Sequence, residues 1–234
     1  MNVLEVKDLT TGYGKTTVVR GVSLSVGPGM VIGIIGPNGA GKTTLIRSIL
    51  GYVRPWSGRV MYRGVDITGL PAHKISKLGI GYVPERGGIL RSLTVWENVE
   101  LALRTSEHGE DRLSEVTKIF RIIDERRNQL ARTLSGGEQR MLSIATAILT
   151  AKDLMILDEP SAGLAPLMRR KLAEALRDIR ERFGMSLVIA EQDPTLVLEL
   201  ADTVYVIEMG SIVRSGKPQE VVKVDVLREH YLGM

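Results

Sequence analysis

"VIGIIGPNGAGKTTLIRSIL", residues 31–50, decides the fold. An apolar run, Val31 to Ile35, passes through a glycine-rich loop into a stretch with helical spacing. Gly36-Pro37-Asn38-Gly39-Ala40-Gly41-Lys42-Thr43 matches G-x-x-x-x-G-K-[ST] in its strand–loop–helix setting. The glycines let backbone N–H groups turn inward around phosphate oxygens, and the helix N-terminus adds partial positive charge. Lys42 is expected to reach the β- and γ-phosphates, and Thr43 to set its hydroxyl on Mg²⁺.

A phosphate loop by itself does not separate kinases, GTPases and ATPases. "DITG" at 66–69 has the D-x-x-G form of a GTPase switch, but only two of its positions are fixed. No N-K-x-D segment that would read guanine occurs in the chain.

From about residue 150 onward strands and helices alternate. "DLMILDEP" reads as a strand, 166–183 as a helix opened by Pro166 and closed by Gly184. "SLVIAE" is a second strand, 194–201 a short helix and "TVYVIE" a third strand. That order predicts an α/β fold, a parallel sheet with helices on its faces. The first third alternates apolar and polar residues in the strand manner, in "VLEVKDL", "VSLSV" and "GRVMYRGVDI". Residues 111–127, with Leu113, Val116, Ile119, Phe120 and Ile123 at three- and four-residue steps, read as helix. The helical middle looks like an insertion between two halves of the core.

"LMILDEP" sets four apolar residues ahead of Asp158 and Glu159. Unpaired buried charges are costly, so two acids at the end of a buried strand call for a function. Asp158 suits Mg²⁺ coordination, directly or through water, and Glu159 suits a general base for the attacking water. In "AEQDP", at the end of another apolar strand, Gln192 stands at the edge where α/β proteins bind ligands.

"TLSGGEQRMLSIATAIL" opens an amphipathic helix with Ser135 as N-cap and Glu138 three residues later, a capping box. Capping does not need Gly136 and Gly137. They leave bare N–H groups and room for a second phosphate.

With this segment on the page, the chain resembles the nucleotide-binding subunit of ABC transporters, whose signature is L-S-G-G-E/Q. The order agrees over essentially the whole chain: phosphate loop at 36, signature at 134, acids at 158 and 159. The resemblance implies a P-loop NTPase fold with a mostly parallel core sheet, an antiparallel β subdomain and an inserted α-helical subdomain. It implies one domain over 1–234, with about 1–84 and 151–234 as catalytic core and about 85–150 as the helical signature subdomain. Nucleotide contacts fall on Tyr13, stacking on adenine, and on Gly36, Pro37, Asn38, Gly39, Ala40, Gly41, Lys42, Thr43 and Thr44. Thr43, Asp158 and Glu85 are the expected Mg²⁺ ligands, with ATP and Mg²⁺ as cofactors. Glu159 and Gln192 are the expected catalytic pair. Ser135, Gly136, Gly137 and Glu138 are expected to touch the ATP of a partner ATPase subunit in a head-to-tail dimer, and Ser161 to Ala165 to cross that interface. Membrane permease subunits and, indirectly, a solute-binding protein complete the expected partners. The expected location is the cytoplasmic face of the cell membrane.

Two departures narrow the resemblance. Glu85, in "IGYVPERGG", stands where the family usually has Gln, and Gln192 stands where it usually has a switch histidine. His73, His108 and His230 lie elsewhere. Gln can donate an N–H but cannot take a proton near neutral pH. Both replacements, with "PSAGLAP" and the terminal "YLG", look like the second ATPase of branched-chain amino acid uptake systems. Relatives importing urea or short amides share much of this pattern, and "VPERGG" differs from the "VPEGRR" expected there.

Bulk properties limit the alternatives. The 234 residues, 44% hydrophobic and 25% charged, suffice for one large domain with a proper core. No apolar run approaches the ~18 to 20 residues that span a bilayer, so a membrane role is expected to be peripheral. Cysteine is absent, which leaves no disulfide framework or thiolate metal site. The net charge of +4 is mild, and Arg126-Arg127 and Arg169-Arg170-Lys171 sit in mixed-charge helical surroundings. With two Phe and two Trp there is little to stack nucleic-acid bases; no nucleic-acid partner is expected. ABC ATPases of chromosomes and repair carry long coiled coils between phosphate loop and signature, whereas here 98 positions separate Gly36 from Leu134. A regulatory module with weak turnover is the third reading, and Glu159 argues against it.

Overall fold

The computed structural model describes residues 1–106 and 108–222; the terminal Tyr231-Leu232-Gly233 and His230 lie outside the described residues. The chain begins with β1 (Leu4–Tyr13), β2 (Thr16–Val26), β3 (Val31–Ile35) and α1 (Lys42–Ile49). Next come β4 (Ser57–Tyr62), β5 (Val65–Asp66), α2 (Ala72–Ser76) and β6 (Ile80–Val83). Four helices follow: α3 (Val95–Arg104), α4 (Gly109–Ile119), α5 (Ile122–Glu125) and α6 (Gly136–Thr150). The last third alternates: β7 (Leu154–Asp158), α7 (Pro166–Phe183), β8 (Ser186–Glu191), α8 (Thr195–Leu200), β9 (Thr203–Glu208), β10 (Ser211–Gly216) and α9 (Pro218–Val222).

The core is a six-stranded sheet of order β10-β9-β3-β8-β7-β6, parallel except for its antiparallel edge strand β10. A four-stranded antiparallel sheet, β2-β1-β4-β5, forms a second layer. The near-continuous apolar strands are explained by burial on both faces. Ile32, Ile34, Leu154, Ile156, Val188 and Ala190 join the cluster shared with α1 and the antiparallel sheet. Their alternates Val31, Ile35, Met155, Leu157, Leu187 and Ile189 pack with α6, α7 and α8.

Two elements differ from the sequence expectation. The helix read over 111–127 is two, because Phe120, between them in sequence, leaves helical geometry at φ −110°, ψ 74° and is buried in the core. A period of 3.6 continues across such a break, so periodicity does not reveal it. The strand read through "GRVMYRGVDI" folds into the β4–β5 hairpin, because Arg63 (φ 50°) and Gly64 (φ 79°) both take the left-handed region that a tight hairpin turn requires.

The helices from α3 to α6 lie between β6 and β7 in the chain and are tied back to the core. Arg112 of α4 donates to the carbonyls of Ile148, Ala151 and Lys152, capping the end of α6, and its guanidinium stands 5.6 Å from the Phe183 ring centre. Among the described residues no helix is long and apolar enough to cross a membrane.

Candidate active site

The C-terminal ends of β3, β7 and β8 meet at one edge of the sheet. The loop after β3 carries the glycine-rich segment, β7 ends in Asp158, and β8 ends in Glu191. Gly41 caps α1 with φ 106°, a conformation that a side chain would strain, so glycine is required there. The loop is fixed from outside: Gly210 N–H donates to Ala40 O at 2.9 Å and Arg20 N–H to Gly210 O at 2.8 Å.

Lys42 is 4% exposed, and its Nζ donates to Gly36 O at 2.8 Å and Pro37 O at 3.2 Å. It also pairs with Glu159 Oε1 at 3.2 Å. The Thr43 hydroxyl donates to Asp158 Oδ1 at 3.1 Å. Asp158 Oδ2 is buried with no hydrogen-bond partner among the described residues, and burial holds this carboxyl above the usual carboxylate range. An orphaned carboxylate oxygen beside a threonine hydroxyl fits a hard divalent cation such as Mg²⁺. A cavity of about 370 Å³ joins Asn38, Gly39, Gly41, Lys42, Thr43 and Thr44 to Glu85 and Glu159.

Glu159 has φ 47°, uncommon for a residue with a side chain. Its N–H donates to Ala190 O at 2.8 Å and its carbonyl accepts from Ala162 N–H at 3.2 Å, which holds the turn. Strain of this kind persists where surrounding structure over-determines it, commonly at functional sites.

Gln192 is exposed and lines a neighbouring cleft of about 600 Å³ with Glu159, Ser161, Glu191 and Asp193. Glu159 stands on the boundary between the two spaces, so the pair is adjacent while only Glu159 faces the phosphate loop. Glu85 is exposed at the rim of the loop cavity, with Oε1 3.5 Å from Arg86 Nε. Tyr13 stands exposed at the end of β1, and its hydroxyl raises the Arg47 guanidinium above its usual range.

Ser135 lies on another face. Its Oγ accepts from Glu138 N–H at 3.3 Å while Glu138 Oε2 accepts from Ser135 N–H at 2.8 Å, the reciprocal capping box. This contact holds the Glu138 carboxyl below its usual range. The two signature glycines differ. An added Cβ would meet open space at Gly136 but would come within 3.0 Å of Met168 Cε at Gly137. Ser135 and Glu138 border a groove of about 680 Å³ between α4, α5 and α7, away from the phosphate loop. Among the described residues, therefore, the two glycine motifs line different cavities.

Sequence reasoning missed two residues. Glu191 is 2% exposed and accepts from Ser161 N–H at 2.8 Å. Arg140, one turn into α6, donates to Pro84 O at 2.6 Å and to Glu85 O, and burial lowers its pKa. Spacing carries no signal for either contact, since each partner is at least thirty residues away.

A phosphate loop opening a helix from the central parallel strand β3, with paired acids at the end of β7 one strand beyond β8, defines a P-loop nucleotide-binding fold. The family model described as "ABC transporter" matches residues 19–162, and the chain belongs to that family as an ATP-hydrolysing cassette. It is 34% identical over 238 residues to the lipopolysaccharide export system ATP-binding protein LptB of Haemophilus influenzae, covering all of this chain and 98% of that one. It is 35% identical over 233 residues to the high-affinity branched-chain amino acid transport ATP-binding protein BraG of Pseudomonas aeruginosa, covering 99% and 100%. The ADP conformation of MJ1267, an ATP-binding cassette of an ABC transporter, superposes with a TM-score of 0.86 at 27% identity and full coverage of both chains.

Proposed function

We propose that this cassette energises an importer of branched-chain or other small amino acids from the cytoplasmic face of the membrane. The observation that carries the reading is the pairing of Glu85 and Gln192 at positions where the wider family has Gln and His. Full-length similarity to a branched-chain amino acid ATPase supports it. Comparable similarity to LptB supports a second reading, an export ATPase for a lipid-linked polysaccharide.

In the proposed cycle Tyr13 stacks on adenine, the 36–44 segment wraps the phosphates, and Lys42 holds the β- and γ-phosphates. Thr43, Asp158 and Glu85 would hold Mg²⁺, which when bound neutralises charge on the phosphates. Glu159 takes the proton of the attacking water, and Gln192 donates to the γ-phosphate. The signature residues Ser135 to Glu138 complete the site of a partner ATPase across a head-to-tail dimer. The separation of the two glycine motifs within one chain supports that arrangement. Permease subunits, and through them a solute-binding protein, would select the solute.

The test is isolation of the chain with its membrane partners, followed by uptake of labelled leucine, valine and smaller amino acids into cells with and without the chain. The expected result is a permease partner and loss of amino-acid uptake. Unchanged uptake together with a lipid-export permease would overturn the import reading in favour of the second.

A further inference from the structure

Glu191 terminates β8 at the point where three functional segments meet. Its carbonyl accepts from Gly36 N–H at 3.4 Å, at the start of the phosphate loop. Its side-chain Oε1 accepts from Ser161 N–H at 2.8 Å. The preceding Ala190 carbonyl accepts from Glu159 N–H at 2.8 Å. Two consecutive residues thus anchor the phosphate loop, the acid after β7 and the loop that follows it.

The side chain holding Ser161 is an expensive choice for a merely structural bond. The carboxyl is almost fully buried, and it faces Glu159 on the β7–α7 turn and Asp193 on its own strand exit. The Arg140 guanidinium of α6 feels its charge. An apolar residue in its place would leave the buried Ser161 N–H without an acceptor, whereas a neutral amide would supply one without burying an ionisable group, so the bond alone does not account for an acid here. The contact does something an apolar residue cannot. It pins the N–H two residues after Glu159, closing a turn whose first residue is already in a left-handed conformation.

We propose that Glu191 is a positioning residue for hydrolysis: through Ser161 N–H it fixes the 159–161 turn, and so the direction of the Glu159 carboxylate and the presentation of the 161–165 loop. The proposal rests on the reading of Glu159 as the base. It acts through backbone placement, so it should govern turnover and leave nucleotide affinity alone.

The experiment compares steady-state ATPase, equilibrium binding of MgATP and thermal melting for the full chain carrying Glu191→Ala, Glu191→Leu, Glu191→Gln or Glu159→Gln. Glu191→Leu keeps the bulk and removes the acceptor, so it reports even where the alanine variant folds poorly. The expected result is a kcat at least tenfold lower for Glu191→Ala and Glu191→Leu, with MgATP affinity within threefold of wild type and Glu191→Leu still folded at the assay temperature. Glu191→Gln, which retains an acceptor oxygen, should recover most of the lost kcat. Wild-type kcat in Glu191→Leu overturns the proposal, as does a loss that Glu191→Gln fails to recover. If Glu159→Gln is inactive while Glu191→Leu is not, Glu191 alone is misassigned. If Glu159→Gln hydrolyses ATP like wild type, the base assignment falls, and the proposal falls with it.

Discussion

Lys42 Nζ and Glu159 Oε1 stand 3.2 Å apart, both largely withdrawn from solvent. The cation expected to reach the phosphates and the acid expected to take a proton are each other's partners. Gly36 O and Pro37 O accept hydrogen bonds from the ammonium, and Glu159 Oε1 balances its charge as an ion pair. The two carbonyls belong to a fixed loop, so a phosphate oxygen arriving at Lys42 displaces Glu159 most readily. On the proposed reading of Glu159, binding at Lys42 would release its carboxylate for the attacking water.

Glu159→Gln should lower kcat by about a hundredfold or more, the usual scale for loss of a general base. ATP affinity should stay level or rise, because a neutral amide competes less for Lys42. Lys42→Ala should show the opposite pattern, with affinity at least about tenfold weaker, since it loses a buried charge-assisted contact. Equilibrium ATP titration beside steady-state turnover separates the two; a Glu159→Gln variant with weakened binding and intact kcat would contradict the exchange.

Gln192 lies in the adjacent cleft and cannot titrate near neutral pH. Gln192→Ala should reduce kcat by about tenfold or less, a smaller loss than Glu159→Gln, since one neutral hydrogen bond contributes about 1 kcal/mol. Its pH–rate profile should keep the wild-type shape between pH 6 and 8. A changed shape would mean that Gln192 controls the protonation of a neighbour.

The sequence made legible what depends on local spacing. The 36–43 loop, the 166–183 helix with its Gly184 cap and the acids at the end of β7 are all short-range patterns with a physical reason. What it hid depends on where strand ends come together. "AEQDP" invites attention to Gln192, the polar residue at the exit, yet Gln192 is exposed and its neighbour Glu191 is buried. Nothing along the strand distinguishes the two letters. Only the parallel pairing of β7 with β8, Asp158 opposite Ala190, brings Ser161 N–H onto Glu191. Likewise the grip of Arg140 on Pro84 and Glu85 crosses from the signature helix to the loop after β6, which helical periodicity cannot express.

Gly33 shows how tightly the strand feeding the phosphate loop is packed. A Cβ there would fall 1.9 Å from Val197 Cγ1, on the helix that follows Gln192. Gly33→Ala should therefore cost about 1–3 kcal/mol in urea unfolding. The double variant with Val197→Ala should be less destabilised than the two single losses combined, because the smaller residue makes room. Strict additivity would show that the clash is relieved elsewhere.

Burial, reinforced by Glu159 and Asp193, pushes the Glu191 carboxyl up to about 7 from an ordinary 4.5, against the lowering influence of the Ser161 hydrogen bonds. A carboxyl raised in the folded state holds a proton that the unfolded chain has already lost between those values. Stability from this group therefore falls as pH rises from 4.5 through 7, and the deficit is complete above 7. Its size is on the order of 3 kcal/mol. Glu191→Gln cannot ionise and escapes that deficit. The melting temperature of Glu191→Gln minus that of wild type should accordingly be small near pH 5 and grow by several degrees toward pH 8, at about 2–4 °C per kcal/mol for a chain of this size. Melting curves across that range decide it, and a difference that stays flat with pH would show that Glu191 is ionised in the folded protein throughout.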